Sequence, residues 1–508
     1  MTLSIILAHD LGTTGDKATL FDVEGHALAS AFYAYETQYP RPNWAEQNPE
    51  DWWQAVCIAS QQVIAQARVA AGDVAVVAFS GQMMAAVAVD DQANPLRSAI
   101  IWADTRAVVQ AQRWLDTLGM EATYRITGHR ASSSYSGEKM LWVRDNQPEI
   151  FRQTHKFLQA KDFVVARLTG VFATDRTDAS GTNLYDIHTH DWSPELLDAV
   201  GLDASLLPEV HLSQEVVGQV TPQAAAATGL AAGTPVVIGG GDGMCAAVGA
   251  GVVRAGMAFN YIGSSSWIGA ASLEPLIDPT MRVYTFEHCV PGVYSPNGAM
   301  QSAGGAYQWA RDNLGLPEKD AAARLGISPY ELLNLQVEKS PPGANNLLFL
   351  PYLLGERSPR WNPDARAAFF GLSMRHTRAD MLRAVLEGVA FNLRVILDAF
   401  HQQGLTVDAM RLIGGGAQGR IWRQILADIF ELPVQRPVLL AEATSFGAAV
   451  AGGVGVGLYP GFAAAEQLTP IHDVTQPDPQ NRVVYQRLYD LFNQAYQAFE
   501  PLYALLAD

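Results

Sequence analysis

Short apolar runs alternate with glycine-rich turns along this chain, and the densest such turn lies near its middle. Residues 235–238 (Pro-Val-Val-Ile) have the length and branching of a buried strand, and residues 244–253, small and apolar, read as a close-packed helix. Between them stands Gly239-Gly240-Gly241-Asp242-Gly243. A carboxylate set among glycines can be approached closely by a substrate, and poor solvation suits it to act as a general base. A tight turn whose Asp caps the next helix fits the same pattern. At the N-terminus, residues 4–8 predict a strand running into Asp10-Leu11-Gly12-Thr13-Thr14-Gly15-Asp16-Lys17. Strand character resumes over 18–22, Glu24-Gly25 turns the chain, and 27–35 form a further strand. The turn offers free amides, two hydroxyls and a lysine to phosphate oxygens, while Asp10 at its mouth can hold a hydrated Mg²⁺. No Gly-Lys-[Ser/Thr] occurs, so this is not a Walker A loop.

The same device returns in the second half. Residues 258–262 and 267–271 predict strands around Gly263-Ser264-Ser265-Ser266. Two related lobes follow from this, each presenting one phosphate-facing hairpin to a shared cleft. Between the hairpins, Asn48 and Pro49 open a helix with Trp52, Val56, Ala59 and Val63 on its buried face. Two strands over 76–89 carry Ser80-Gly81-Gln82-Met83-Met84, and a strand over 99–102 ends in Trp102-Ala103-Asp104-Thr105-Arg106. Polar groups at strand ends are where a polar ligand is read, although Asp104 and Arg106 fit a local ion pair equally well. Residues 138–191 are mostly helical, then loop through 174–182, either closing a cleft or running over the surface. Thr377 and Asp380 form a capping box before a long helix buried along Leu382, Val385, Leu386, Val389 and Leu393. Residues 411–413 deliver Gly414-Gly415-Gly416-Ala417-Gln418-Gly419 to a helix over 421–430. That is formally the G-x-G-x-x-G of a dinucleotide-binding dehydrogenase, yet Val434-Gln435-Arg436-Pro437 stands where its acidic residue belongs. A glycine strip that beds adenosine explains it as well.

At 508 residues the chain is too long for one core. Net charge is 34 − 51 = −17, which argues against nucleic-acid or anionic-membrane partners but not against a nucleotide held by backbone amides. Cys57, Cys245 and Cys289 are odd in number and set in apolar surroundings, as buried thiols in a reducing compartment are. The uncharged run 446–465 holds six glycines and Pro460 and reads as a close-packed helix and turn, not a membrane span. With no basic start to its apolar N-terminal run, the expectation is a cytoplasmic protein.

These residues together resemble the FGGY carbohydrate kinases, on Asp10-Leu11-Gly12-Thr13-Thr14 with Lys17, Trp44-x-Glu46-Gln47, Gly81-Gln82-Met83, Trp102-x-Asp104-x-Arg106, Gly239 to Asp242, Gly263-Ser264, Gly355-Glu356-Arg357 and Gly414 to Gly416. Within the family the likeness is greatest to the xylulokinases. The resemblance implies an α/β fold of two ribonuclease-H/actin-like lobes, 1–248 and 249–508, around a central ATP and sugar cleft. It implies Asp242 as the base for the attacking hydroxyl and Asp10 as the Mg²⁺ position. It implies Gly12, Thr13, Thr14, Lys17, Gly263 and Ser264 at the phosphates, and Gly415, Gly416 and Gln418 at adenosine. Gln82, Met83, Met84, Trp102 and Asp104 would meet the sugar, D-xylulose or another ketose, polyol or aldonate. An actin-like or Hsp70-like ATP switch would share the hairpins without needing the tryptophan motifs. Departures fall on the sugar side: Met84 stands where xylulokinases carry His, and Ala103 and Gly243 where they carry Asn. Family members are often dimeric, which makes a homodimer an expectation.

Overall fold

A computed structural model describes residues 4–438 and 442–506. Its first sheet contains β1 (Ile5–Leu11), β2 (Gly15–Phe21), β3 (Ala27–Ala34), β4 (Val74–Gly81), β5 (Val216–Gln219) and β6 (Pro235–Gly241), in the order β5-β6-β4-β1-β2-β3. The first three strands form an antiparallel meander, then β4 and β6 add parallel to β1. A second sheet contains β7 (Met257–Ile262), β8 (Ser266–Ala270), β9 (Tyr284–Glu287), β10 (Tyr294–Met300), β11 (Ala409–Ile413), β12 (Val434–Pro437) and β13 (Ile471–Thr475). Its order is β9-β10-β8-β7-β11-β12-β13, with β7–β8–β10 antiparallel and β11 and β12 parallel to β7. From β10 to β13 this repeats the first sheet from β3 to β5. The two lobes expected from the repeated hairpin are therefore present as repeated sheets.

Three helices position the site. α1 (Asp242–Gly249) follows β6, α2 (Arg378–Gln402) backs the second sheet behind its Thr377–Asp380 capping box, and α3 (Ala443–Gly455) leads away from β12. α3 takes in the first half of the uncharged glycine-studded run 446–465, and it lies against the first sheet, sharing a core with Ile6, Ala8, Val76, Ala78 and Val237. It also crosses α1 at backbone contact. A Cβ on Gly447 would stand 1.9 Å from the Cys245 carbonyl oxygen, and one on Gly249 1.7 Å from that of Ala443. Small residues are required because no side chain fits between these helices.

The segment 174–182 corrects the surface-connection reading. It runs as a strand (Ala173–Asp175) and a short helix (Arg176–Ser180), largely buried against β6 and β9. All three cysteines are buried and free. Among the described residues no helix is long and apolar enough to cross a membrane.

Candidate active site

β6 brings Asp242 to the cleft between the lobes. A bulge in its pairing with β4 puts Gly239 at φ +71, where a Cβ would lie 1.7 Å from the Phe79 carbonyl oxygen. The glycines before Asp242 are thus filled by protein, not by substrate: at Gly241 a Cβ would strike the Met83 side chain at 2.6 Å. Open space appears only at Gly243, one residue beyond the carboxylate. Asp242 is half-buried, and its Oδ1 accepts from the Gly243 N–H at 2.7 Å. It does not cap the helix, and its Oδ2 has no hydrogen-bond partner among the described residues. Burial pushes its carboxyl up to about 6. An oxygen left uncommitted on a carboxylate poised near neutrality is what a general base requires.

Asp10, at the end of β1, faces the same space. Burial raises its carboxyl to about 7, with the charges of Asp242 and Asp16 acting in the same direction. Tyr261 enters from β7, and its phenol is raised by burial and by both carboxylates. Crowded negative charge of this kind suits a divalent cation. Among the described residues no cluster of three or more His, Cys, Asp or Glu could cage one. The donor set therefore fits a Mg²⁺ held by one carboxylate, water and phosphate oxygens.

The first hairpin turn is braced from behind. Gln47 Nε2 donates to the Thr13 carbonyl (2.7 Å) and Gln82 Nε2 to Gln47 Oε1 (2.8 Å), while the Tyr35 hydroxyl donates to the Gly12 carbonyl. The Trp102 indole N–H donates to Thr13 Oγ1 at 2.9 Å. Gly12's own amide is spent inside the turn on Asp10 and Gly15 carbonyls, so its part is conformational. Lys17 Nζ reaches Glu442 of the other lobe at 3.4 Å. Gln82 and Trp102, expected at the sugar, thus also support the phosphate turn. Asp104 is a clearer correction. It is fully buried, and its oxygens accept from the Ala45 N–H (2.6 Å) and the Arg106 guanidinium (2.6 Å). This is the local ion pair left open by the sequence, and it removes Asp104 from the sugar contacts. Met84 holds φ +61, uncommon for a residue with a Cβ, and its carbonyl accepts from Lys139 Nζ at 2.8 Å.

In the second lobe the start of the helix Gly304–Asn313 clamps the other turn, with Gly304 N–H on the Gly263 carbonyl (2.9 Å) and Gly305 N–H on that of Ser264 (2.8 Å). Beside it opens a cavity of about 600 Å³, lined by Gly263, Ser264, Gly415, Gly416 and Gln418 together. Five residues from two distant segments so meet at one wall. A Cβ on Gly416 would clash with Ile262 at 2.5 Å, whereas one on Gly415 meets nothing and would project freely. Tyr307, Asn334 and Trp422 are among the other lining residues, and the sequence reading missed them. Only Trp422 carried a signal, three residues after Gly419 on the helix Arg420–Phe430.

Two repeated lobes with a hairpin each, a carboxylate between them and a nucleoside-sized cavity fit a phosphotransferase of the actin-like class. Known proteins agree. Residues 5–249 match the model of the FGGY family of carbohydrate kinases, N-terminal domain, and residues 258–456 that of its C-terminal domain. The xylulose kinase of Bacillus subtilis is 33% identical over 97% of both chains. The gluconokinase of the same organism is 31% identical over 99% of this chain and 98% of its own. The crystal structure of gluconate kinase from Lactobacillus acidophilus superposes with a TM-score of 0.92, at 27% identity, covering 99% of this chain and 100% of the other. The chain belongs to the FGGY family of carbohydrate kinases and is a phosphotransferase with an alcohol acceptor.

Proposed function

We propose that this protein transfers the γ-phosphoryl group of ATP to a hydroxyl of a ketose or an aldonate, with Asp242 as the general base. The observation that carries this is the Asp242 carboxyl itself: raised to about 6, with one free oxygen, beside open space at Gly243 and with its charge felt by Asp10 and Tyr261 of the two hairpins. Asp242 takes the proton of the acceptor hydroxyl as its oxygen bonds to the γ-phosphorus and ADP departs. Thr13, Thr14, Lys17 and Ser264 face the phosphates, and Gly415, Gly416 and Gln418 bed the adenosine. Mg²⁺, held through Asp10, would neutralise charge on the phosphate oxygens. Met83, Met84 and Trp102 line the acceptor side. Holding both reactants in line between two lobes supplies much of the rate, because phosphoryl transfer asks chiefly for positioning and charge neutralisation.

The xylulose kinases among the relatives support D-xylulose, and the gluconokinases support gluconate. ADP release in the presence of Mg²⁺ and a panel of ketoses, polyols and aldonates tests the reading. One acceptor should stimulate wild type strongly and Asp242→Asn hardly at all, while both proteins bind ATP by titration calorimetry. Equal basal hydrolysis in both, with no stimulating acceptor, would refute it.

A further inference from the structure

Among the described residues, two arginines on the acceptor side of the cleft form no ion pair. Arg130, in the loop after the helix Met120–Thr127, and Arg357, in the second lobe, are both half-buried. Among the described residues neither guanidinium forms an ion pair, in a protein with seventeen more acidic than basic side chains. The Arg130 guanidinium lies over the Trp361 ring, 5.1 Å from its centroid, and the Trp361 N–H donates to the Arg357 carbonyl. Arg357's charge bears on the Tyr135 phenol, which in turn bears on Arg130. The nearby carboxylates pair with neither guanidinium, although one Glu138 oxygen has no hydrogen-bond partner and the Arg357 charge bears on Glu356. Glu138 accepts from the Ser132 N–H (3.2 Å) and Asn183 (3.1 Å), and Glu356 from the Gln301 N–H (2.8 Å) and Asn392 (2.7 Å).

This pair sits on the same wall as the proposed acceptor contacts. The Trp361 ring packs on Tyr284 with centroids 6.4 Å apart, and Trp361 and Met84 both pack against the large apolar cluster that includes Met83, Met244 and Tyr284. Lys139 Nζ ties the Met84 carbonyl (2.8 Å) to that of Ser134 (2.6 Å), fixing the arginine-bearing loop beside Met84. We infer that Arg130 and Arg357 bind a carboxylate on the acceptor, so that the substrate is a sugar acid of the aldonate class and not a neutral ketose. The inference rests on the kinase reading above. A half-buried cation without a partner is costly, and burial indeed lowers the Arg130 pKa. A guanidinium stacked on an aromatic face keeps its N–H edge free for the two-pronged contact that carboxylates favour.

The test compares D-gluconate with D-glucitol, which share a carbon skeleton and differ in the carboxylate, and with D-xylulose. Wild-type kcat/KM should favour gluconate over glucitol by about tenfold or more, in line with a charge-assisted hydrogen bond. In Arg130→Met that ratio should fall about tenfold, mostly through the KM for gluconate, and Arg130→Lys should restore part of it. A general structural defect would lower both acceptors together and leave the ratio intact. Should Arg130→Met not fold, the wild-type ratio and Arg357→Met decide. Turnover of D-xylulose with no preference for gluconate over glucitol overturns the carboxylate inference and leaves the kinase reading standing. No turnover on any acceptor overturns both.

Discussion

Asp242 is held in a state that favours reaction over stability, and Asp242→Asn separates the two. Its carboxyl moves from 3.8 to about 6 because burial disfavours the charge. At 1.36 kcal/mol per pH unit this costs at most about 3 kcal/mol, and the residual solvent contact of a half-buried group reduces it to about 1–3 kcal/mol. Asparagine keeps the shape and can still accept from the Gly243 N–H, but carries no charge. The sign follows from proton linkage. Below 3.8 both folded and unfolded states hold the proton, and the carboxylate costs nothing. Between 3.8 and about 6 the unfolded state ionises first, so wild-type stability falls with rising pH; above 6 the whole penalty is present. The variant should therefore be more stable than wild type at pH 8, by about 1–3 kcal/mol, with the gap closing as pH drops through 6 towards 4. Acceptor-stimulated kcat should fall about 10²- to 10⁴-fold over the same range. Urea unfolding at pH 5 and 8, beside ADP release with saturating ATP, measures both. A variant less stable than wild type at pH 8, or one within tenfold of its kcat, would refute the reasoning.

Three further outcomes are expected. Acceptor kcat/KM of the wild type should rise with pH through about 6 and then level, because only the deprotonated Asp242 accepts a proton; a flat profile from pH 5 to 8 removes it as the base. Gly415→Val places its side chain in the 600 Å³ cavity without touching protein, so calorimetry should show ATP affinity reduced about tenfold or more with thermal stability little changed. Gly447→Ala puts a Cβ 1.9 Å from the Cys245 carbonyl where α3 crosses α1, and denaturation should report a loss of about 1–3 kcal/mol or more.

Local features were legible where local chemistry sets them. Both hairpins, the strand into Asp242 and the capping box at Thr377 follow from turn residues and apolar alternation, and the structure repeats them nearly residue for residue. Their recurrence announced two lobes, because like sequences at like positions build like sheets. Contacts between distant segments were not legible. Nothing in the order of residues brings Tyr307 and Asn334 beside Gly415, or aims Arg130 at Trp361. Asp104 shows the limit most plainly: an acidic residue after a strand reads alike whether it faces a ligand or an arginine two positions on. The glycines before Asp242 read as room for a substrate, but what approaches them is the side chain of Met83 and the backbone of Phe79.

The placement of α3 has a consequence for how the chain is made. Ile6, Ala8, Val76, Ala78 and Val237 emerge from the ribosome well before the helix that covers them, which spans 443–455. For most of translation the first sheet carries an uncovered apolar face, and a fragment cut after α1 keeps it permanently. The first lobe is thus finished by a helix contributed from the second half of the chain, and a first lobe made by itself would lack the cover on that face.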